Sequence, residues 1–235
     1  MLGASGNVGR VIVRNLLKKK EVEMVLVVGR REIKDFPQEI QTDERLVQQV
    51  VRMDHLKEDC APILQGVDIS FITMGIGAPS KSTPEDLERV DCTLPTEFSE
   101  TSHESGVSHV VILTSVGAQY KGEQANVGKS TYAGSSLYRH LKGKVEKNLS
   151  QIGFDSVSIF RPATLIGNTN TPGLFNWLAP KFDFVVPTRY NSIHIDQLGE
   201  AMVKEGLRKV EEKEQSGAQI YEGESLFSVV TPLDK

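Results

Sequence analysis

The chain reads as an α/β protein built on a doubly wound parallel sheet, and three observations point there. A glycine-rich stretch, Gly3-Ala4-Ser5-Gly6-Asn7-Val8-Gly9, runs straight into a helical pattern. Short aliphatic runs then alternate with stretches of helical period, the order expected of repeated strand–helix units. The first of these runs, ending at Val28, is apolar on both faces, as parallel strands covered on both sides are.

Composition sets the frame. With 235 residues, 39% of them hydrophobic, the chain can bury a substantial core and fits a single domain over 1–235. A net charge of −4 and a pI of 5.8 argue against nucleic acid or an anionic membrane as partner. Cys60 and Cys92 are the only cysteines, so no disulfide framework is implied and a reducing compartment is expected. No apolar run reaches membrane-spanning length, and the first residues lack signal-peptide zones, so the expectation is a cytoplasmic protein. No metal site is implied.

Taken in order, the first element is the glycine loop. Glycine permits φ > 0 and lets a phosphate approach with no Cβ in the way, and the helix that follows aims its positive dipole end at that point. The spacing is Gly-x-x-Gly-x-x-Gly rather than Gly-x-Gly-x-x-Gly, and by itself such a stretch is also what a bare turn looks like. Only Met1 and Leu2 precede Gly3, so the strand that should feed the loop reads as truncated. Val8, Ile12, Leu16 and Val13, Leu17 give the first helix its period. It ends at Lys18-Lys19-Lys20, a solvated helix end rather than a binding patch.

Glu23 to Val28 is the second strand, followed by Gly29-Arg30-Arg31. In a Rossmann fold an acidic residue after this strand receives the ribose 2′-hydroxyl of NAD. Two arginines instead suit a 2′-phosphate, through charge and bidentate hydrogen bonds. Glu32 and Asp35 lie close enough to keep NAD(H) open beside NADP(H), and solvated surface arginines are the bland alternative. Leu46 to Val51 is a third strand, with Asp54 after it as an adenine acceptor or a helix N-cap. Val67 to Met74 is a fourth, closed by Gly75 and Gly77, where backbone at Met74 and Gly75 would lie against the middle of the cofactor.

A helix over Pro84 to Ser105 carries Leu87, Val90, Leu94 and Phe98 on one face. His109 to Thr114 is the fifth strand, ending in Ser115. Residues 116–137 are rich in Gly, Ser and Ala and read as a loop over a pocket. Gly128-Lys129-Ser130 within them resembles the end of a phosphate-binding P-loop, but Glu123 stands where that motif needs glycine. Tyr138 and Lys142 follow, four apart and therefore on one helix face, above a buried stripe of Leu137, Leu141, Val145 and Leu149. A phenol with pKa near 10 is a poor acid–base catalyst at neutral pH, and a neighbouring ammonium favours its phenolate. Ser156 to Phe160 is the sixth strand and runs into Arg161-Pro162. His194 reads as a capping or core histidine and Asp196 as the N-cap of a helix from Gln197 to about Lys213. Ile220 to Val229 reads as a last strand and turn.

Together these motifs resemble an atypical short-chain dehydrogenase/reductase, in particular the Tat-interacting oxidoreductase-like branch. The match rests on Gly3-x-x-Gly6-x-x-Gly9, Arg30-Arg31, Ser115, the Tyr138, Lys142, Gly143, Glu146 stretch, and Arg161-Pro162. It covers residues 1 to about 167 and is thin beyond 168, where residues 168–195 would form most of a small C-terminal substrate-binding region. The resemblance implies that Ser5, Gly6, Asn7, Val8 and Gly9 surround the pyrophosphate. It implies that Ser115 binds the substrate oxygen, that Tyr138 passes the proton, and that Lys142 supports the phenolate and holds the nicotinamide ribose. Pro162 to Leu165 would line the nicotinamide. An asparagine that serves a proton relay in the larger family is not evident, and Asp91 occupies that helix. The resulting expectation is an NADP(H)-dependent oxidoreductase acting on a small carbonyl or alcohol. Two other readings stay open: an NADPH-binding regulatory or assembly protein without turnover, and an NAD-dependent epimerase or dehydratase. A homodimer or a regulatory protein partner is equally open.

Overall fold

The computed structural model describes residues 1–167, 186–213 and 215–230. Six parallel strands carry its main sheet. They are β1 (Val25–Gly29), β2 (Leu46–Val50), β3 (Ile69–Ile72), β4 (His109–Leu113), β5 (Ser156–Phe160) and, after two short strands described below, β8 (Gly217–Tyr221). β1 pairs with β2, and β3, β4, β5 and β8 pair in that order. Residues 1–2 close the gap between these two sets. Leu2 bridges Val28 on one side and Ile72 on the other, both in parallel, and Val28 and Thr73 donate their N–H groups to the carbonyls of Met1 and Leu2. The spatial order is therefore β2, β1, residues 1–2, β3, β4, β5, β8. Strand order reverses at the glycine loop, where open α/β sheets hold their ligands.

Side-chain alternation divides the core into two layers. Val25, Val27, Phe71, Val111 and Phe160 face one cluster, while Leu26, Val28, Ile72, Ile112 and Ile159 face the other. Both faces of every central strand are covered, so even Ser70, Ser156 and Ser158 on β3 and β5 are buried. The first layer is roofed by α1 (Asn7–Leu17) and α7 (Ile195–Glu212). These two pack so closely that a Cβ on Gly199 would stand 2.4 Å from Val11 Cγ1. The second layer is roofed by α3 (Leu56–Cys60), α5 (Leu94–Glu104) and α6 (Ser136–Ile152). A short helix, α2 (Gln38–Gln41), buries Ile40 beyond β1.

The expected helix over 84–105 is three pieces. Thr83 caps α4 (Pro84–Glu88), its Oγ1 accepting from Asp86 N–H at 3.1 Å. A π-helical turn over Arg89–Thr93 follows, and α5 continues from Leu94. Pro95 has no N–H to give the Asp91 carbonyl and its ring crowds that oxygen, so the chain widens there. The widened turn carries Asp91 into the interior, at 2% exposure.

Two short parallel strands, β6 (Thr164–Ile166) and β7 (Ser192–His194), pair outside the main sheet. The N-cap of α7 is His194, whose ring accepts from Asp196 N–H at 3.3 Å. Asp196 is inside the first turn and pairs with Arg14 instead. The end of the chain also differs from its expected strand and turn: residues 224–229 form a helix, α8 (Glu224–Val229), that buries Leu226. Residues 114–135 contain no helix or strand, consistent with a loop. Of the expected substrate region, 168–185 lies outside the described residues.

Candidate functional site: a glycine-lined cleft leading to a buried lysine

At the end of the central slot the chain turns at Gly3, with φ +95°. A Cβ on Gly3 would lie 2.5 Å from Met74 N, and one on Gly9 would lie 2.3 Å from the Gly3 carbonyl oxygen. Both glycines are therefore demanded by close backbone packing between loop, helix and β3. Gly6 has a different role. It is the N-cap of α1, brings no side-chain acceptor to the first turn, and would place a Cβ no nearer than 3.4 Å to its neighbours. It borders a cavity of about 780 Å³ that Gly3, Ser5, Gly6, Arg30, Arg31, Met74 and Gly75 also line. An open mouth at the positive end of an 11-residue helix is a fitting cradle for a pyrophosphate. Asn7, Val8 and Gly9 do not line it; Val8 and Gly9 are buried behind the loop.

The far bank of the cavity is cationic. Arg30 and Arg31 are exposed on it, just past β1, and among the described residues neither guanidinium is held by an ion pair. Arg10, by contrast, is committed: it donates to Asp35 Oδ1 at 2.7 Å and lies over the Phe36 ring. That contact also occupies Asp35, which does not line the cavity, and the Arg10 hydrogen bond holds its pKa below the ordinary value. Asp54 does not line the cavity and is not an N-cap. It is exposed within the 3-10 turn Met53–His55 and paired with Arg89, while Met53 lines the cavity in its place. Arg89 and Lys81 are lining cations that motif reasoning missed. No local pattern marks them, because only the tertiary fold brings the 79–90 segment to this bank.

The expected reaction groups lie outside this cavity. Ser115 follows β4, half-buried, its Oγ donating to the Val116 carbonyl at 3.3 Å. Tyr138 is half-buried on α6, and Lys142 Nζ stands 5.8 Å from its ring centroid. Pro162 is buried after β5 and Leu165 lies half-buried in β6. None of these five lines the 780 Å³ cavity. Lys142 meets its edge at Gly75, where a Cβ would stand 3.9 Å from Lys142 Nζ and 3.4 Å from Asp91 Oδ1.

Lys142 is not the free cation the motif suggests. Its side chain is buried, and Nζ bonds Asp91 Oδ1 at 2.7 Å. Asp91 Oδ2 accepts the Ile76 N–H at 3.0 Å, so one carboxylate fixes both the lysine and the loop after β3. Burial alone would push the ammonium down; Asp91, with Tyr138 and Glu146 adding to it, more than offsets this and raises its pKa above the ordinary lysine value. An ammonium has three donors, so the pair with Asp91 leaves Lys142 able to bind further oxygens. A signal for Asp91 exists in the sequence. It sits four after Leu87 and three before Leu94, an acid on an otherwise apolar stripe, and buried acids need partners.

Gly143, next to the lysine, has a steric reason as well. The 119–120 backbone lies directly against α6, and a Cβ at 143 would stand 2.1 Å from Tyr120 N. Gln119 N–H donates to the Arg139 carbonyl at 2.9 Å and Lys121 N–H to His140 Nδ1 at 3.2 Å. The loop after Ser115 is thus docked on the helix that carries Tyr138.

A family model described as NAD(P)H-binding matches residues 3–185. Protein HTATIP2 of Rattus norvegicus is 31% identical over 192 residues, covering 82% of this chain and 72% of the relative. Protein FMP52, mitochondrial, of Eremothecium gossypii is 24% identical over 171 residues, 73% of this chain and 67% of the relative. Among solved structures, MoeE5 in complex with UDP-glucuronic acid and NAD superposes with a TM-score of 0.64 at 18% identity, covering 93% of this chain and 73% of that one. That likeness speaks for the fold, while the family match and the HTATIP2 relative place the sequence: the chain belongs to the family of NAD(P)H-binding proteins.

Proposed function

We propose that this protein is an NADP(H)-dependent oxidoreductase that transfers a hydride to or from a small carbonyl or alcohol, with Tyr138 as general acid and base. The observation that carries the reading is continuity. One cleft runs from a glycine cradle flanked by Arg30 and Arg31 to Gly75, where it meets Lys142, one helical turn from Tyr138.

The cofactor, when bound, supplies or accepts the hydride. The chain's own residues do the rest. Ser5 and Gly6 with the α1 N-terminus receive the pyrophosphate, and the two arginines favour a 2′-phosphate over a bare hydroxyl. Lys142, locked by Asp91, presents its remaining donors toward the ribose and keeps a fixed positive charge beside the phenol. Ser115 orients the substrate oxygen, and Tyr138 gives that oxygen a proton in reduction or takes one in oxidation. Residues 116–135 and Pro162 to Leu165 border the place where substrate would sit.

The test is NADPH consumption against a panel of aldehydes, ketones and quinones. Tyr138→Phe is expected to lower kcat by at least about 100-fold, the usual contribution of a positioned acid–base group, with NADPH affinity unchanged. Equal turnover by the variant removes the tyrosine from the mechanism. Tight NADPH binding with no oxidation by any carbonyl points to the regulatory alternative, and NAD retained through purification to an epimerase or dehydratase.

A further inference from the structure

We infer that Glu146 is a positioning residue of this site, whose buried carboxylate sets where Ser115 stands relative to Tyr138 and Lys142. The inference rests on the oxidoreductase reading above and adds a residue that contacts neither substrate nor cofactor. Glu146 is 5% exposed and lies one turn beyond Lys142 on α6. Its Oε1 accepts from Thr114 Oγ1 at 2.6 Å and from Arg161 Nε at 2.9 Å, and its Oε2 accepts from Arg161 Nη2.

The neighbours of these donors give the arrangement its meaning. Thr114 immediately precedes Ser115, and Arg161 immediately precedes Pro162. One carboxylate thus joins the three segments that carry Ser115, the Tyr138–Lys142 pair and the expected nicotinamide wall. Ser115 is bracketed on both sides. Thr114 N–H donates to the Phe160 carbonyl at 2.8 Å, and Val116 N–H to the Pro162 carbonyl at 2.9 Å. These two bonds hold Ser115 to the β5 end, and Glu146 ties that end to α6 through Thr114 and Arg161. Without it, Thr114 Oγ1 keeps a 3.4 Å contact to Phe160 O, and Arg161 keeps Glu222 at 3.2 Å. A displacement of about 1 Å at a catalytic group can cost on the order of 100-fold in rate, so a carboxylate with this reach governs turnover without touching the reacting atoms.

Substitution separates reach from charge. Glu146→Gln keeps the length and one acceptor oxygen; Glu146→Asp keeps the charge and shortens the side chain by one methylene; Glu146→Ala removes both. Hydrogen exchange followed by NMR, with and without NADPH, reads the Val116 amide against Val110 to Ile112 in the middle of β4. Fixed positioning predicts Val116 exchange faster by at least about 10-fold in the Asp variant, the loss of roughly 1.4 kcal/mol of local protection, with mid-strand exchange and the melting temperature little changed. The Gln variant is expected to lie nearer wild type. With a carbonyl that the wild type turns over, Glu146→Asp should lower kcat by about 10-fold or more with KM within about 3-fold, the split expected when only transition-state geometry is lost. Val116 exchange that moves no more than that of mid-strand amides overturns the inference, as does an unchanged kcat. Should the wild type bind NADPH and reduce nothing, the oxidoreductase reading fails by itself. The exchange comparison then still decides whether Glu146 fixes Ser115.

Discussion

The two ends of the cleft are built by different means. At the adenosine end the determinants are backbone shape and exposed charge: a turn that only glycine allows, a helix terminus, and guanidinium groups standing in solvent. At the reaction end they are buried side-chain pairs. Asp91 with Lys142, and Glu146 with Thr114 and Arg161, are carboxylates that hold other residues in place. The first end is expected to bind a dinucleotide without help from those buried pairs. The second can only work if groups from four separate stretches of chain stay in register, so it is the end where a substitution should damage turnover more than binding.

The sharpest way to break this contrast is to unpair the interior. Asp91→Ala leaves the Lys142 ammonium buried without its partner, and stability measured by urea unfolding should fall by about 3–5 kcal/mol. Replacing both, Asp91→Leu with Lys142→Met, should recover much of that loss while abolishing turnover. If the single and double variants are equally unstable, the ion pair is not the element that holds this end.

Gly9→Ala attacks the other end. Its Cβ has nowhere to go, at 2.3 Å from Gly3 O and 2.8 Å from Ala4 Cα, and the expected cost is about 1–3 kcal/mol of overpacking. NADPH affinity should fall with it, as the loop shifts off the cradle. Gly6→Ala, where the nearest atom is 3.4 Å away, should leave stability within about 0.5 kcal/mol, as surface substitutions usually do, and weaken only the nucleotide. Equal stability losses at Gly6 and Gly9 would erase the distinction between packing and cradle glycines.

The smallest effect concerns the thiols. Burial pushes both Cys60 and Cys92 up to about 11, so the thiolate that reacts with iodoacetamide is scarce in the folded protein at pH 8. Since the folded pKa values are raised, their contribution to stability is intact below the unfolded thiol pKa and is lost as pH rises from about 9 toward 11. Alkylation should therefore be slow in the native protein and complete in urea. Rapid labelling of Cys92, whose neighbour Asp91 holds Lys142, would show that this end opens readily.

The contrast also explains what could be read from the sequence. The strands at β1, β2, β4 and β5 and the helices α1 and α6 announce themselves through local apolar pattern, because each is covered on its inner face wherever it lies. Arg30 and Arg31 follow the second strand by position alone. Asp54 misled because its place after a strand is right for adenine, whereas the side chain is drawn outward by Arg89 from another segment. Lys81 and Arg89 reach the cavity only through the tertiary fold, and the hold of Asp91 on Lys142 depends on a π-helical turn, a widening that a periodicity of 3.6 residues cannot express. Glu146 stood in a recognisable motif, yet its partners lie 32 and 15 residues away. No spacing rule joins those three positions.

Titration of NADPH and NADH into the wild type and into Arg30→Ala with Arg31→Ala decides whether this cleft takes a 2′-phosphorylated dinucleotide. Charge-assisted hydrogen bonds of about 1.5–3 kcal/mol predict that the wild type prefers NADPH by roughly 10- to 100-fold. The double variant should bind both nucleotides about equally and NADH as the wild type does. A wild type that binds NADH as tightly as NADPH, or a double variant that keeps the preference, contradicts the claim and returns the two arginines to the solvated surface.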